Sequence, residues 1–181
     1  MIWGLWLSLA WAQSDAAEAE PRCAPAQLEA LPSPPERLAV AWVGRWRQRP
    51  TGWIRVVPTK ELASWVAEQR PAWTGRTLQK LGLRKRNVDP KRRFKVVIFD
   101  VSREDLCRPI AEVEPETPVQ GLPACRPRLV RPDKATTGCG HTLDHRTGEP
   151  GFTQYAIRSR AAHAQGSCTV PLERYLEQGG R

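Results

Sequence analysis

The sequence predicts a single small α+β domain, stabilised by disulfides, with a mainly antiparallel sheet and two or three helices. Three observations lead to this prediction. A chain of 181 residues is long enough for one hydrophobic core. Strand-like and helix-like segments follow one another without the regular alternation that is typical of parallel α/β proteins. Five cysteines follow an apolar N-terminus, and 40% hydrophobic with 26% charged residues excludes an intrinsically disordered chain.

Residues 1–19 predict a secretory signal peptide. The first 12 residues form an uncharged apolar run that is too short to span a bilayer as a helix. Alanines two positions apart allow cleavage after Ala12 or after Ala19. Because no positive charge precedes the run, a buried N-terminal helix is the alternative. We expect export to the periplasm or the cell exterior, and no transmembrane segment in the mature chain.

After the signal, residues 20–36 are rich in proline and alanine and predict a flexible leader. The globular domain is expected at residues 37–181. It begins with a hairpin, because residues 38–46 and 53–57 have the period-two alternation of strands and are joined by a Pro/Gly turn. Three tryptophans of this hairpin are expected either to pack in the core or to form a platform for a sugar or a peptide: Trp42, Trp46 and Trp53.

The remaining elements follow from hydrophobic periodicity. Residues 94–101 are apolar on both faces, which predicts a central strand. Two shorter strands are expected at residues 152–160 and 167–170. Three segments have the spacing of amphipathic helices: 58–70, 74–83 and 171–178.

Prolines are dense in residues 108–134, which therefore predict a long surface excursion rather than a helix or a central strand. Long ordered loops often carry function, so this excursion is a candidate surface for a protein partner. A disulfide between Cys107 and Cys125 would close it at its base.

In an oxidising compartment, five cysteines predict two disulfides and one leftover thiol. Their spacing alone leaves the pairing open. Proximity along the chain favours Cys107–Cys125 and Cys139–Cys168, with Cys23 left in the leader, where it could pair with a partner.

Most of the net charge of +9 lies in residues 76–95, which hold nine Lys or Arg and one Asp. Such a segment is either a solvated loop or an anion-binding surface. No nucleic-acid-binding motif accompanies it, so an exported protein would use it on an anionic envelope surface or another polyanion. Six residues define the expected anion-binding set: Arg84, Lys85, Arg86, Lys91, Arg92 and Arg93.

The glycine-rich stretch 138–151 is the candidate reactive loop. We interpret Cys139 as half of a structural disulfide, with the neighbouring histidines as loop residues. One alternative is catalysis by Cys139 or His141 with Asp144 or Asp100. A second alternative is a metal site, for which no C-x2-C motif is present. Its four ligands would be Cys125, Cys139, His141 and His145.

The sequence contains no familiar hydrolase, metalloprotease or phosphate-loop motif. We therefore expect a non-enzymatic, exported binding or structural module without a cofactor. The alternative is a small exported hydrolase or transferase with its site in residues 138–151.

Overall fold

Alternating side chains on two neighbouring strands form the centre of the main sheet. Strand β1 (Arg37–Arg45) and strand β2 (Trp53–Pro58) are the predicted hairpin, paired antiparallel with Val40 opposite Pro58. On its other side, β1 pairs along its whole length with β3 (Phe94–Ser102), the predicted central strand. Both expectations for this region are confirmed.

A computed structural model places these elements. It describes residues 23, 25–49, 52–68, 74–81, 93–110, 113–114, 116–125, 137–144, 147, 149–164 and 167–178. The expected signal peptide lies outside these residues.

Eight more strands are present in the described part of the chain. They are β4 (Leu106–Pro109), β5 (Pro118–Val119), β6 (Leu122–Cys125), β7 (Thr137–Gly138), β8 (His141–Leu143), β9 (Pro150–Thr153), β10 (Tyr155–Arg158) and β11 (Ser167–Pro171). The main sheet has the order β11-β3-β1-β2-β10-β4-β6-β5, and β7-β8-β9 form a second, smaller sheet. Only β4 and β6 pair in parallel among the described strands, so the predicted antiparallel α+β class is confirmed.

Five α-helices are described. They are α1 (Pro25–Glu29), α2 (Thr59–Glu68), α3 (Thr74–Lys80), α4 (Ser159–Ala164) and α5 (Leu172–Glu177), with a 3-10 turn at Arg103–Asp105. The three predicted helices correspond to α2, α3 and α5. Because α1 and α4 have only five and six residues, they are too short to show a helical period in the sequence.

Side chains from the two faces of the main sheet enter two hydrophobic clusters. On one face, Leu62 of α2 and Tyr175 of α5 pack with apolar residues of β1 and β3. On the other face, Val101 of β3 and Leu122 of β6 belong to one cluster, although four strands separate β3 from β6 along the order of the sheet. The sheet therefore curves around this second cluster.

One strand predicted from the sequence is interrupted at the point where the chain leaves the small sheet. Residues 152–160 were expected to form one strand, but β9 ends at Thr153 and β10 starts at Tyr155. At the break, the Gln154 N–H donates to the Gly140 carbonyl at 2.7 Å, which joins the chain to the β7–β8 turn. The chain thus passes from the small sheet into the main sheet at Gln154.

Two regions expected at the surface are built into the fold. Residues 25–34, assigned to the leader from the sequence, contain α1 and bury Leu31 at 2% exposure. The proline-rich segment supplies β4, β5 and β6, and all of β4 is buried. Pro118 and Pro123 pair with each other on the two strands at that end of the sheet, where fewer backbone donors are needed.

Among the described residues, no helix combines the length and the apolar composition needed to cross a bilayer.

Candidate functional site

The cysteines decide which chemistry the 138–151 loop can perform. The predicted bond Cys107–Cys125 is present, and Ala156 packs against it. The predicted bond Cys139–Cys168 is wrong: Cys139 bonds Cys23 across 116 residues, while Cys168 is an exposed free thiol on β11. Sequence proximity misled here, because Cys23 lies beside the β7–β8 turn although 116 residues separate it from Cys139.

Cys139 lies in a tight hairpin turn between β7 and β8. Cys139 and Gly140 both have positive φ, 49° and 79°, as the central residues of a two-residue I′ turn require. A disulfide-bonded sulfur at this turn has no nucleophilic thiolate. The catalytic alternative therefore loses Cys139.

The proposed metal set is not assembled. Cys125 and Cys139 belong to two different disulfides, so neither sulfur can be a thiolate ligand. His145 lies outside the described residues. Within the described part of the chain, no three His, Cys, Asp or Glu side chains come together around a possible metal position.

The two candidate acids have structural partners in different places. Asp144, 2% exposed, pairs with Arg76 at 2.7 Å and ties the end of β8 to α3. Asp100 has a side chain that is 57% exposed and pairs with Arg37 at 2.8 Å across β1 and β3.

A different set of polar residues surrounds His141. We call it the polar cluster: Glu61, Arg108, His141 and Tyr155. On β4, the Arg108 side chain is fully buried, and its guanidinium carbon lies 4.4 Å from the centre of the Tyr155 ring. Its Nη2 donates to the Pro32 carbonyl. Its Nε and Nη1 have no hydrogen-bond partner among the described residues.

Glu61 reaches the cluster from α2. Its Oε2 accepts the Thr153 N–H at 2.8 Å, and Thr153 is the residue opposite His141 in the β8–β9 pair. Residues that face each other across an antiparallel pair have Cα atoms about 5 Å apart. Glu61 also acts on the imidazole electrostatically, in the direction that raises the pKa of His141.

Burial sets the protonation of this cluster. It lowers the pKa of His141; Glu61 opposes this shift, and Arg108 adds to it. His141 is thus neutral at pH 7. Burial likewise lowers the pKa of Arg108, which Tyr155 and Glu61 partly restore, and it raises the pKa of Tyr155. The cluster offers guanidinium donors, one carboxylate and a neutral imidazole, a set suited to binding an oxyanion or moving a proton.

Sequence analysis identified only His141 of these four. Glu61 is a polar residue on an amphipathic helix, and Arg108 lies in a proline-rich segment that predicted surface exposure. No motif or spacing connects them, since three β-strands and one helix bring them together.

A second candidate surface lies at the loop end of the β1–β2 hairpin. Trp46 follows β1 and is 47% exposed, and Trp53 begins β2 and is 39% exposed. The Arg158 guanidinium lies 5.2 Å from the centre of the Trp53 ring. We call this region the Trp–Arg surface. Its other exposed basic residues are Arg45, Arg47, Arg49 and Arg93.

Arg93 connects this surface to the predicted anion-binding segment. Its carbonyl accepts the Trp46 N–H at 2.9 Å, which fixes the start of β3 beside the tryptophan. A cleft of about 190 Å³ lies there, lined by both residues and by Phe94, Pro171 and Glu173. The five other residues of the expected set lie outside the described part of the chain: Arg84, Lys85, Arg86, Lys91 and Arg92. Of the three tryptophans expected either in the core or on a platform for a sugar or a peptide, Trp42 is in the core at 9% exposure, and Trp46 and Trp53 are exposed.

Comparison with known proteins gives no family for this chain: no protein-family model, curated protein or solved structure matches it.

Proposed function

We propose that this chain is an exported, non-enzymatic protein that attaches to an anionic envelope membrane through its Trp–Arg surface. One observation carries the proposal: Trp46 and Trp53 are both exposed at the loop end of the β1–β2 hairpin, and the chain around them holds the exposed residues Arg45, Arg47 and Arg49. Tryptophan combines a large apolar ring with one polar N–H and is favoured where one side of a residue is apolar and the other wet.

The charge around the tryptophans supports a membrane as the partner. Each basic residue near an anionic bilayer contributes about 1 kcal/mol of attraction. Arg45, Arg47, Arg49 and Arg158 are all exposed. Together with two interfacial rings, they form the combination of apolar and electrostatic contact that peripheral proteins use.

The sequence extends this surface. Residues 84–92 hold five of the six expected anion-binding side chains and end one residue before Arg93. In the sequence, this positive charge is therefore continuous with Arg93 of the Trp–Arg surface.

Two disulfides support the export part of the proposal. Both Cys23–Cys139 and Cys107–Cys125 are structural bonds, and such bonds persist in the periplasm or outside the cell rather than in a reducing cytosol. The apolar sequence of residues 1–12 is the expected route.

Binding to vesicles tests the proposal. The mature chain is mixed with vesicles of phosphatidylglycerol and phosphatidylcholine, or of phosphatidylcholine alone, and bound protein is separated by flotation. We expect binding to the anionic vesicles only. Replacing both tryptophans by serine should reduce the bound fraction severalfold, and salt should weaken binding through charge screening.

Arg47→Glu has a matched control in Lys60→Glu. Both changes reverse one exposed basic side chain. Lys60 follows the opposite end of β2, about 20 Å from Trp53 by strand length. Only Arg47→Glu should weaken binding. Equal loss with both variants would indicate attraction by net charge alone, and retention on heparin without vesicle binding would indicate a soluble polyanion; either result would refute the membrane proposal.

A further inference from the structure

The N-terminal part of the described chain crosses the polar cluster. We call residues 23 and 25–34 the N-terminal strap. Its first residue, Cys23, is bonded to Cys139 on the β7–β8 turn. Further along, Leu31 is 2% exposed and packs in a small cluster with Ile110 and Val119. The strap is thus fixed covalently at one end and by apolar burial near the other.

Polar contacts hold the strap against the β5–β6 turn. Gln120 Nε2 donates to the Glu29 carbonyl at 3.0 Å, and Ser33 Oγ donates to the Gln120 carbonyl at 3.2 Å. At Gly140, an added Cβ would come within 2.9 Å of Leu31 Cδ1. The strap therefore lies in direct contact with the turn that carries its disulfide.

Beneath the strap, Arg108 is incompletely satisfied. A buried guanidinium without hydrogen-bond partners is costly, so such groups are normally paired. In the described structure, the Pro32 carbonyl of the strap is the acceptor for Nη2, while Nε and Nη1 have none. The strap thus supplies an acceptor to one nitrogen of Arg108 and leaves the other two without one in the described part of the chain.

We propose that Arg108 is the centre of a binding site for a small oxyanion, a phosphate or a carboxylate, which the disulfide-held N-terminal strap closes. A guanidinium presents five N–H donors in one plane, which suits the oxygens of either anion. The Tyr155 ring at 4.4 Å fixes the orientation of that plane.

Glu61 gives the site its electrostatic balance. Its carboxylate is held by the Thr153 N–H at 2.8 Å and acts on Arg108 from nearby. This negative charge opposes an incoming anion, so the isosteric change Glu61→Gln should strengthen binding while keeping an acceptor for Thr153.

The strap and the anion compete for the same guanidinium. When the strap is closed, Pro32 occupies Nη2 and Arg108 has no exposed surface. Opening the strap frees Nη2 of Arg108 and lets solvent reach the guanidinium. The apparent affinity for an anion therefore falls with the fraction of molecules whose strap is open.

The test compares a latched chain with one that lacks the latch. The latched control is Cys168→Ser, which removes only the exposed thiol and prevents disulfide exchange. The latch-free protein adds Cys23→Ser and Cys139→Ser. Titration calorimetry with inorganic phosphate and, separately, with acetate measures binding, and circular dichroism checks the fold. We expect the latch-free protein to bind at least one of the two ions about tenfold more tightly than the latched control.

Variants of Arg108 and of the strap assign the effect. In the latch-free protein, Arg108→Gln should abolish binding, and Arg108→Lys, which keeps the charge but loses the planar donors, should weaken it. Leu31→Ala with the disulfide intact loosens the strap if the latch-free protein fails to fold, and it should also strengthen binding. Equal affinity in latched and loosened proteins, binding that survives the Arg108 changes, or no binding of either ion to any loosened protein would overturn the proposal.

Discussion

Two arginines of this protein stack on aromatic rings, one in the interior and one on the surface. Arg108 lies over Tyr155 at 4.4 Å and is fully buried, whereas Arg158 lies over Trp53 at 5.2 Å and is exposed. The contact is nearly the same, but water satisfies the donors of Arg158 and cannot reach those of Arg108. Solvent access, and not the contact with the ring, therefore determines the desolvation cost of such an arginine and which ligands it can bind.

The same division applies to the ion pairs. Arg76–Asp144 has side chains 22% and 2% exposed, while Arg37–Asp100 has 62% and 57%. The buried pair joins a helix to the small sheet, and the exposed pair joins two strands that their own ladder already holds. We therefore expect Arg108 and the Arg76–Asp144 pair to contribute more to the stability of the fold than Arg158 and the Arg37–Asp100 pair do.

The largest expected effect is at Arg108. Arg108→Ala removes a buried side chain, its stacking on Tyr155 and the donor to Pro32, so we expect the free energy of unfolding to fall by about 3 kcal/mol. Urea unfolding followed by circular dichroism measures it. A change below about 1 kcal/mol would contradict this expectation, because it would show that the buried Arg108 side chain contributes little to the free energy of unfolding.

Next comes Asp144→Asn. The amide leaves Arg76 without its charged partner in a largely buried position, and we expect a loss of about 2 kcal/mol. Asp100→Asn is the matched surface control, with an expected loss of no more than about 0.5 kcal/mol. Comparable losses in the two variants, measured by the same urea titration, would contradict the assignment of stability to the interior pair.

The lowered pKa of His141 predicts that the free energy of unfolding depends on pH, with an effect of intermediate size. Because burial lowers its pKa in the folded protein, the unfolded chain, with a pKa near about 6.5, binds the proton more tightly. Stability is thus fully present above the unfolded value and declines as the pH falls from there towards the folded value. The slope for one group is at most about 1.4 kcal/mol per pH unit.

Unfolding measured at about pH 7.5 and about pH 5.5 checks this prediction against His141→Gln. The variant should lose less stability on acidification than the native chain does. A larger loss in the variant would mean that protonated His141 stabilises the fold, which is the opposite sign.

The smallest expected effect is at Arg158. An exposed cation–π contact contributes about 0.5 kcal/mol, so Arg158→Ala should scarcely change the urea midpoint. The same variant should nevertheless bind anionic vesicles more weakly. A large loss of stability would show that Arg158 is a structural residue and would remove it from the Trp–Arg surface.

Much of the fold could be predicted because the information is local. The hairpin of β1 and β2, the central strand β3 and the helices α2 and α5 each carry a hydrophobic period within a dozen residues. Cys107 and Cys125 are 18 residues apart, and their bond follows from that proximity.

The candidate sites divide in the same way. The sequence alone shows that positive charge is concentrated in residues 76–95 and that tryptophans flank the β1–β2 loop, since both depend on composition along a short segment. Only the tertiary structure shows that Cys23 pairs with Cys139, that the chain changes sheets at Gln154, and that Arg108 is buried under the N-terminal strap. These depend on contacts between segments far apart in the chain, and neither hydrophobic period nor residue spacing records which distant segment will cover which.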